Sequence, residues 1–130
     1  MATNDPLAEC LSKINNAEKV SKTQVVVSGI SKIKKDVLAI LQKHDYLGTI
    51  DNEENRRGGK LTIAILGHVN NCGVIKPRFK VKVSDIEKYE QRYLPSKGFG
   101  ILIISTSKGL LTNEEAKEKN IGGRLIAYCY

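Results

Sequence analysis

The sequence predicts an α+β fold: helix, strand, helix and two strands, followed by a smaller, mostly β segment with short helices. Three observations carry this. Two N-terminal segments repeat apolar residues with helical spacing, whereas later segments are β-branched runs or alternate apolar and basic residues with period two. At 130 residues and 14.4 kDa, with 41% hydrophobic and 27% charged residues, the chain fits one domain or two very small ones. Aromatics are only 5% and Trp is absent, so the core must come from Ile, Leu and Val, as in Gly100-Ile-Leu-Ile-Ile-Ser105.

Asp5-Pro6 reads as an N-cap followed by proline at the first helical position. Leu7, Leu11 and Ile14 then form a buried stripe, and this helix should run to about Lys19. Its other face carries Ser12, Lys13, Asn15, Asn16 and Lys19, either solvated or facing a phosphate backbone. Gln24 to Val27 is a β-branched run broken by Gly29. Ser31 can cap a second helix, in which Ile33, Val37, Leu38, Ile40, Leu41 and His44 lie near one face. Leu47–Asp51 and Leu61–Leu66 read as strands of a hairpin, joined by the polar stretch from Asn52 to Lys60 with its Gly58-Gly59 pair.

Asn70, Asn71 and Gly73 mark a loop. Phe79, Val81 and Val83 then alternate with Lys80 and Lys82, a half-exposed strand with one basic face, and Pro77 places its beginning at an edge or outside the sheet. Ser84 and Glu87 have capping-box spacing for a short helix that Pro95 stops. Ile101–Ile104 reads as a fully buried strand. Thr112 and Glu115 form a second capping-box candidate, for a helix that Asn120 and Gly122 can end, and Arg124–Tyr130 is the last strand.

Lysine and arginine number 21 against 14 acids, a net charge of +7 with a pI near 9.4, which favours polyanionic partners. Residues 1–50, 51–100 and 101–130 carry +2, +4 and +1, so the charge acts from a folded surface rather than a tail. Cys10, Cys72 and Cys129 are odd in number and widely spaced, which argues for a reducing compartment and against a disulfide framework or a zinc site. Cytoplasm is the expected location, since no signal peptide or membrane-length apolar run of ~18 residues is present.

Catalytic motifs fail one by one. Gly98-Phe-Gly100 lacks the third glycine of a dinucleotide fingerprint, and Gly58-Gly59-Lys60-Leu61 lacks P-loop spacing. Ser105, Thr106 and Ser107 have no nucleophile elbow and no evident tie to His44, a core or boundary residue by pattern, or to His68, a loop residue. The hydroxyl run and the Gly122-Gly123 pair therefore remain open between ordinary turn chemistry and contact with the shallow minor groove of structured RNA, where shape and 2′-hydroxyls dominate.

The stretch Ile104-Ser-Thr-Ser-Lys-Gly-Leu-Leu111, then Glu115-Ala116 and Gly122-Gly123-Arg-Leu-Ile-Ala-Tyr128, resembles the C-terminal signature of the small-subunit ribosomal protein number eight family. Asp5-Pro-Leu-Ala8, Ile14-Asn-Asn-Ala17 and Ser31-Lys32 are similar to its N-terminal half. Gly73-Val-Ile-Lys-Pro-Arg-Phe79 and Glu87-Lys-Tyr resemble the archaeal and eukaryotic branch. The resemblance implies an N-terminal α-β-α-β-β unit, residues 1–68, packed against a mostly β RNA-binding unit, residues 69–130. It also implies direct binding to a central-domain stem of small-subunit ribosomal RNA, support of subunit assembly, neighbouring ribosomal proteins as partners, no cofactor, no metal and no catalysis. On this reading Ser105, Thr106, Ser107 and Lys108 meet the irregular core of the stem, with Gly122 and Gly123 close by. Ser31, Lys32, Asn15 and Asn16 meet the RNA backbone from the N-terminal half. Arg124 stands where many bacterial members have glutamate, and is expected on phosphate instead. The resemblance also implies an alternative use of the same surface, binding messenger RNA outside the ribosome, the protein's own message included.

Overall fold

The structure is a computed structural model that describes residues 6–29, 31–53, 59–76, 78–96 and 99–130. The cap expected at Asp5, most of the turn from Asn52 to Lys60, and the positions of Pro77 and Gly98 lie outside the described residues. The chain forms two compact units that divide between Cys72 and Gly73. Residues 69–72, placed by sequence with the second unit, belong to the first. The reason is a set of hydrogen bonds to the first helix: Val69 N–H donates to Glu18, and Cys72 N–H donates to Asn15.

The first unit follows the expected order: α1 (Pro6–Lys19), β1 (Gln24–Ser28), α2 (Lys32–Lys43), β2 (Leu47–Glu53) and β3 (Lys60–Ile65). Leu7, Cys10, Leu11, Ile14 and Ala17 form the buried stripe of α1, and Val37, Leu38 and Leu41 that of α2. Ser31 caps α2, its hydroxyl accepting from Lys34 N–H at 3.4 Å. His44, expected on the apolar face, is exposed. The helix stops at Lys43, and the chain turns through Asp45 at φ 64°, so His44 leaves the periodic face that its spacing suggested. The antiparallel sheet has the order β1-β3-β2 and buries Val27, Leu61 and Ile63 on one face.

The second unit contains β4 (Cys72–Val74), whose first residue belongs to the other unit, then β5 (Lys80–Val81), a 3-10 turn (Val83–Asp85) and α3 (Ile86–Tyr93). β6 (Ile101–Thr106), β7 (Gly109–Thr112), α4 (Asn113–Lys119) and β8 (Gly123–Cys129) follow. The sheet order is β4-β8-β6-β7, with β5 also pairing with β8. Four elements differ from expectation. Cys72–Val74 is a short strand rather than loop, because β8 offers it an edge. The alternating strand shrinks to Lys80–Val81, since Val83 already enters the 3-10 turn. The Ser84/Glu87 box does not form, for that turn makes Asp85 the cap of α3, and it supplies no side-chain bond. Finally, Gly109–Thr112 is a strand, so the hydroxyl run turns a hairpin instead of leading into a helix.

The Thr112/Glu115 box does form, with the Thr112 hydroxyl accepting from Glu115 N–H at 3.3 Å and Glu115 Oε1 accepting from Thr112 N–H at 3.2 Å. Asn120 ends α4 in the left-handed region. The core joins Ile75, Val81, Ile86, Leu102, Ile104 and Leu125. Buried Asn113 ties α4 to the sheet by accepting from Leu102 N–H at 3.1 Å and to α3 by donating to Glu90, which also pairs with Lys117 at 2.7 Å. Stacked Phe79 and Tyr89, 5.6 Å apart, and stacked Tyr93 and Tyr128, 5.8 Å apart, lie over this core.

Candidate nucleic-acid interface

In the second unit, strand register brings together residues far apart in sequence. Lys80 of β5 faces Arg124 of β8, and Arg124 faces Ser105 of β6. Directly opposed residues of antiparallel strands project from the same face, so lysine, arginine and serine form one row across three strands. Lys82, two residues beyond Lys80 in extended backbone, continues the cationic side of that row. Like charges directly opposite each other destabilise a sheet by a few tenths of a kcal/mol, an arrangement that an anion lying over the row relieves.

The row borders an open groove of about 620 Å³ that is also lined by Thr106, Ser107, Gly122 and Gly123, with Asp85 the single carboxylate on its wall among the described residues. The three hydroxyls differ in availability. Thr106 Oγ1 donates to Gly109 O at 2.8 Å and accepts from Lys108 N–H at 3.1 Å, so it holds the hairpin. Gly109, at φ 98°, supplies the positive angle the turn requires. That leaves Ser107 and Lys108 exposed at the turn, and Ser105 half-buried at the end of the apolar run.

The paired glycines lie tight against neighbouring backbone. A Cβ on Gly123 would overlap the carbonyl oxygen of Ser105, and one on Gly122 would overlap that of Val81. They let three strands close on one another, so their first duty is to the fold.

The first unit builds a second cationic feature from contiguous residues. Lys32, Lys34 and Lys35 occupy the first turn of α2, which has no acidic residue. A helix N-terminus already carries partial positive charge and unpaired N–H groups, so lysines there are unfavourable until an anion binds. Lys34 itself is buried, its ammonium donating to the carbonyls of Ser28 at 3.1 Å and Gly29 at 3.2 Å. Lys32 is exposed, and Ser31 is half-buried as the cap. Asn16 is exposed on α1, but Asn15 is not on a solvated face. Its amide donates to Asn71 at 3.2 Å and to Cys72 O, while its oxygen accepts from Cys72 N–H at 2.9 Å.

Groups that could do chemistry are otherwise occupied. Burial pushes the Cys10 thiol up to about 11, which keeps it protonated and a poor nucleophile near neutrality. Cys72 and Cys129 are buried and form no disulfide, and the Cys72 thiol donates to Leu11 O at 3.5 Å. His68 Nδ1 lies 2.6 Å from Asp45 O, a loop contact. Among the described residues, no group of three His, Cys, Asp or Glu could hold a metal ion.

A cationic, hydroxyl-lined groove in one unit and a lysine-bearing helix end in the other are the chemistry of a polyanion binder, and the family comparison specifies which. A model of the Ribosomal protein S8 family matches residues 5–130. The chain belongs to the ribosomal protein S8 family. It is thus a component of the small ribosomal subunit that binds ribosomal RNA and neighbouring ribosomal proteins, a structural protein rather than an enzyme. For this S8-family chain, sequence reasoning missed Lys80 and Lys82 as members of the site. Their alternation with Phe79 and Val81 exposed a basic face, but only the register places that face against Arg124. Lys34 was missed because a lysine three residues beyond a cap ordinarily points to water.

Proposed function

We propose that the chain binds directly to a stem in the central domain of small-subunit ribosomal RNA in the cytoplasm, and that this contact supports assembly of the subunit. The supporting observation is the row of Lys80, Arg124 and Ser105 across β5, β8 and β6, which sets opposed cations beside a hydroxyl edge. Phosphates are neutralised by Lys80, Lys82, Lys108 and Arg124, while Ser105 and Ser107 read local shape and 2′-hydroxyls. Thr106, Gly122 and Gly123 hold that edge in place. From the first unit, Ser31 and Lys32 offer a helix end to the RNA backbone, and Asn16 a polar contact. Asn15 acts indirectly, as a strut. On this reading the chain belongs to the archaeal and eukaryotic branch of the family, which the resemblance of residues 73–79 and 87–89 supports.

Footprinting on whole small-subunit RNA tests the proposal. Protection of one central-domain stem is the expected result, and protection scattered over many helices would overturn it. The groove offers hydroxyls and cations, which read shape, so a messenger RNA carrying a similar irregular stem would bind the same surface. Competition of the two RNAs for one site is then expected, the chain's own message included.

A further inference from the structure

On the first unit, β1 has an open side. Among the described residues it pairs with β3 alone, in register from Gln24 opposite Ala64 to Ser28 opposite Lys60. The flanking bonds, Ile65 N–H to Thr23 O and Gly29 N–H to Gly59 O, show which residues bond to β3. In an antiparallel pair these alternate, so Thr23, Val25, Val27 and Gly29 turn their amides toward β3, whereas Gln24, Val26 and Ser28 turn theirs outward. Ser28 O is taken by the Lys34 ammonium. Gln24 and Val26 are left presenting backbone donors and acceptors at the edge.

Beside these two residues runs a groove of about 750 Å³ between β1 and the end of α1. It is lined by the aliphatic Ala17, Val20, Val25 and Val26 and by the polar Lys13, Asn16, Lys22 and Gln24. Val20 is 63% exposed and Val26 46%, the first and a later member of the few large apolar side chains that remain open to water. The turn after α1 is fixed, with Lys22 N–H donating to Ala17 O at 2.9 Å and Ser21 at φ 56°, so Val20 and Lys22 are held beside the strand. Proteins normally guard such an edge with proline, a bulge or an inward-pointing charge, and Gln24-Val-Val-Val-Ser28 has none of these.

We propose that this edge docks an extended, acidic segment of a neighbouring protein. The segment adds a strand to β1, exchanging backbone hydrogen bonds with Gln24 and Val26, laying an apolar side chain over Val20 and Val25, and directing a carboxylate to Lys13 or Lys22. Alternating amide donors and acceptors are matched by another polypeptide strand and not by a sugar-phosphate backbone, and the aliphatic lining offers no ring on which a base could stack. A second copy of the chain would bring further lysines to a groove that is already cationic.

The experiment uses the full chain and two blocked synthetic pentapeptides, one alternating glutamate with valine and the other lysine with valine. The glutamate peptide is expected to slow amide exchange at Gln24 and Val26, and to bind about tenfold more tightly than the lysine peptide. Val26→Pro removes one outward N–H while leaving the bonds of Val25 and Val27 to β3, and should weaken the glutamate peptide by about tenfold. Lys22→Glu, a surface change that keeps the strand intact, should reverse the preference between peptides and covers the case in which the proline variant fails to fold. Equal binding of both peptides, protection elsewhere than Gln24 and Val26, or displacement by a uridine oligonucleotide would overturn the proposal. So would a dimer of the chain that Val26→Pro dissociates.

Discussion

The two units reach the same end, a surface that favours phosphate, by opposite routes. In the first, the exposed cations are neighbours in sequence: Lys32 and Lys35 share one helical turn, and the helix end adds its own positive potential. In the second, Lys80, Ser105 and Arg124 are brought together only by the pairing of three strands. Their cores differ as well. Six of the seven aromatic residues, all but Tyr46, belong to the second unit, where several stack over the sheet and α3, whereas the first unit is sealed almost wholly by aliphatic side chains. A locally built site can lose a side chain without disturbing its scaffold. A site built by strand register shares its parts with the fold, and changes there act on stability and binding together.

The largest expected effect tests that coupling at Gly123. In Gly123→Ala, the added Cβ would overlap Ser105 O, backbone that cannot move aside without opening β6 from β8. The free protein should lose about 3 kcal/mol, the upper end for overpacking a closed site, measured by chemical denaturation. Lys32→Ala, its counterpart on α2, should leave stability within about 0.5 kcal/mol, as an exposed surface substitution does. Equal effects at both positions would erase the distinction between the units.

Asn15 sharpens the comparison from the other side, because sequence assigned it to RNA and the structure gives it to the fold. Asn15→Ala leaves Cys72 N–H and Cys72 O without their side-chain partners. A loss of about 2 kcal/mol in stability is expected, with RNA affinity of the folded fraction unchanged. Weakened affinity at full stability would return Asn15 to the interface. Its bonds to Cys72 show where the sequence ceased to be legible. Helical periodicity identified α1, α2 and their buried stripes, and the Thr112 box located α4, since these signals lie within a few residues. The short strand β4 and the pairing of Lys80 with Arg124 depend on partners dozens of residues away, and so does the bond from Asn15 to Cys72. None of these had a local mark. Likewise, glycine gave no sign from spacing alone whether it made room for RNA or for Ser105.

The cation row predicts effects of opposite sign in the free and bound protein. Lys80→Ala relieves the like-charge contact with Arg124, so the free sheet should gain about 0.3 kcal/mol. RNA affinity should fall, and the slope of log K against log salt should decrease by about 0.7 to 0.9 if one phosphate contact is lost. Arg124→Ala should act alike. Salt titrations of the stem complex, with melts of the free variants, measure both quantities. A variant that lowers affinity at unchanged slope would remove that residue from phosphate contact.

The smallest effect concerns the hydroxyls of the hairpin, where scaffold and site meet within two residues. Thr106 bonds to both Lys108 N–H and Gly109 O, so Thr106→Val should cost the free protein about 1 kcal/mol. Ser107 is exposed at the turn, and Ser107→Ala should leave the melting temperature nearly unchanged. In the complex, loss of its hydrogen bond should cost about 0.5 to 1.5 kcal/mol, and more if an RNA group is left buried without a partner. Because no counterion is released through a neutral hydroxyl, the loss should persist at high salt, unlike that of Lys80→Ala. It should also shrink when the irregular core of the stem is replaced by regular helix, since a hydroxyl at a rigid turn reads the shape of the backbone rather than its charge. Affinities of Ser107→Ala for the native and regularised stems decide the point: equal losses on both would remove shape reading from Ser107, and no loss on either would leave it a turn residue alone.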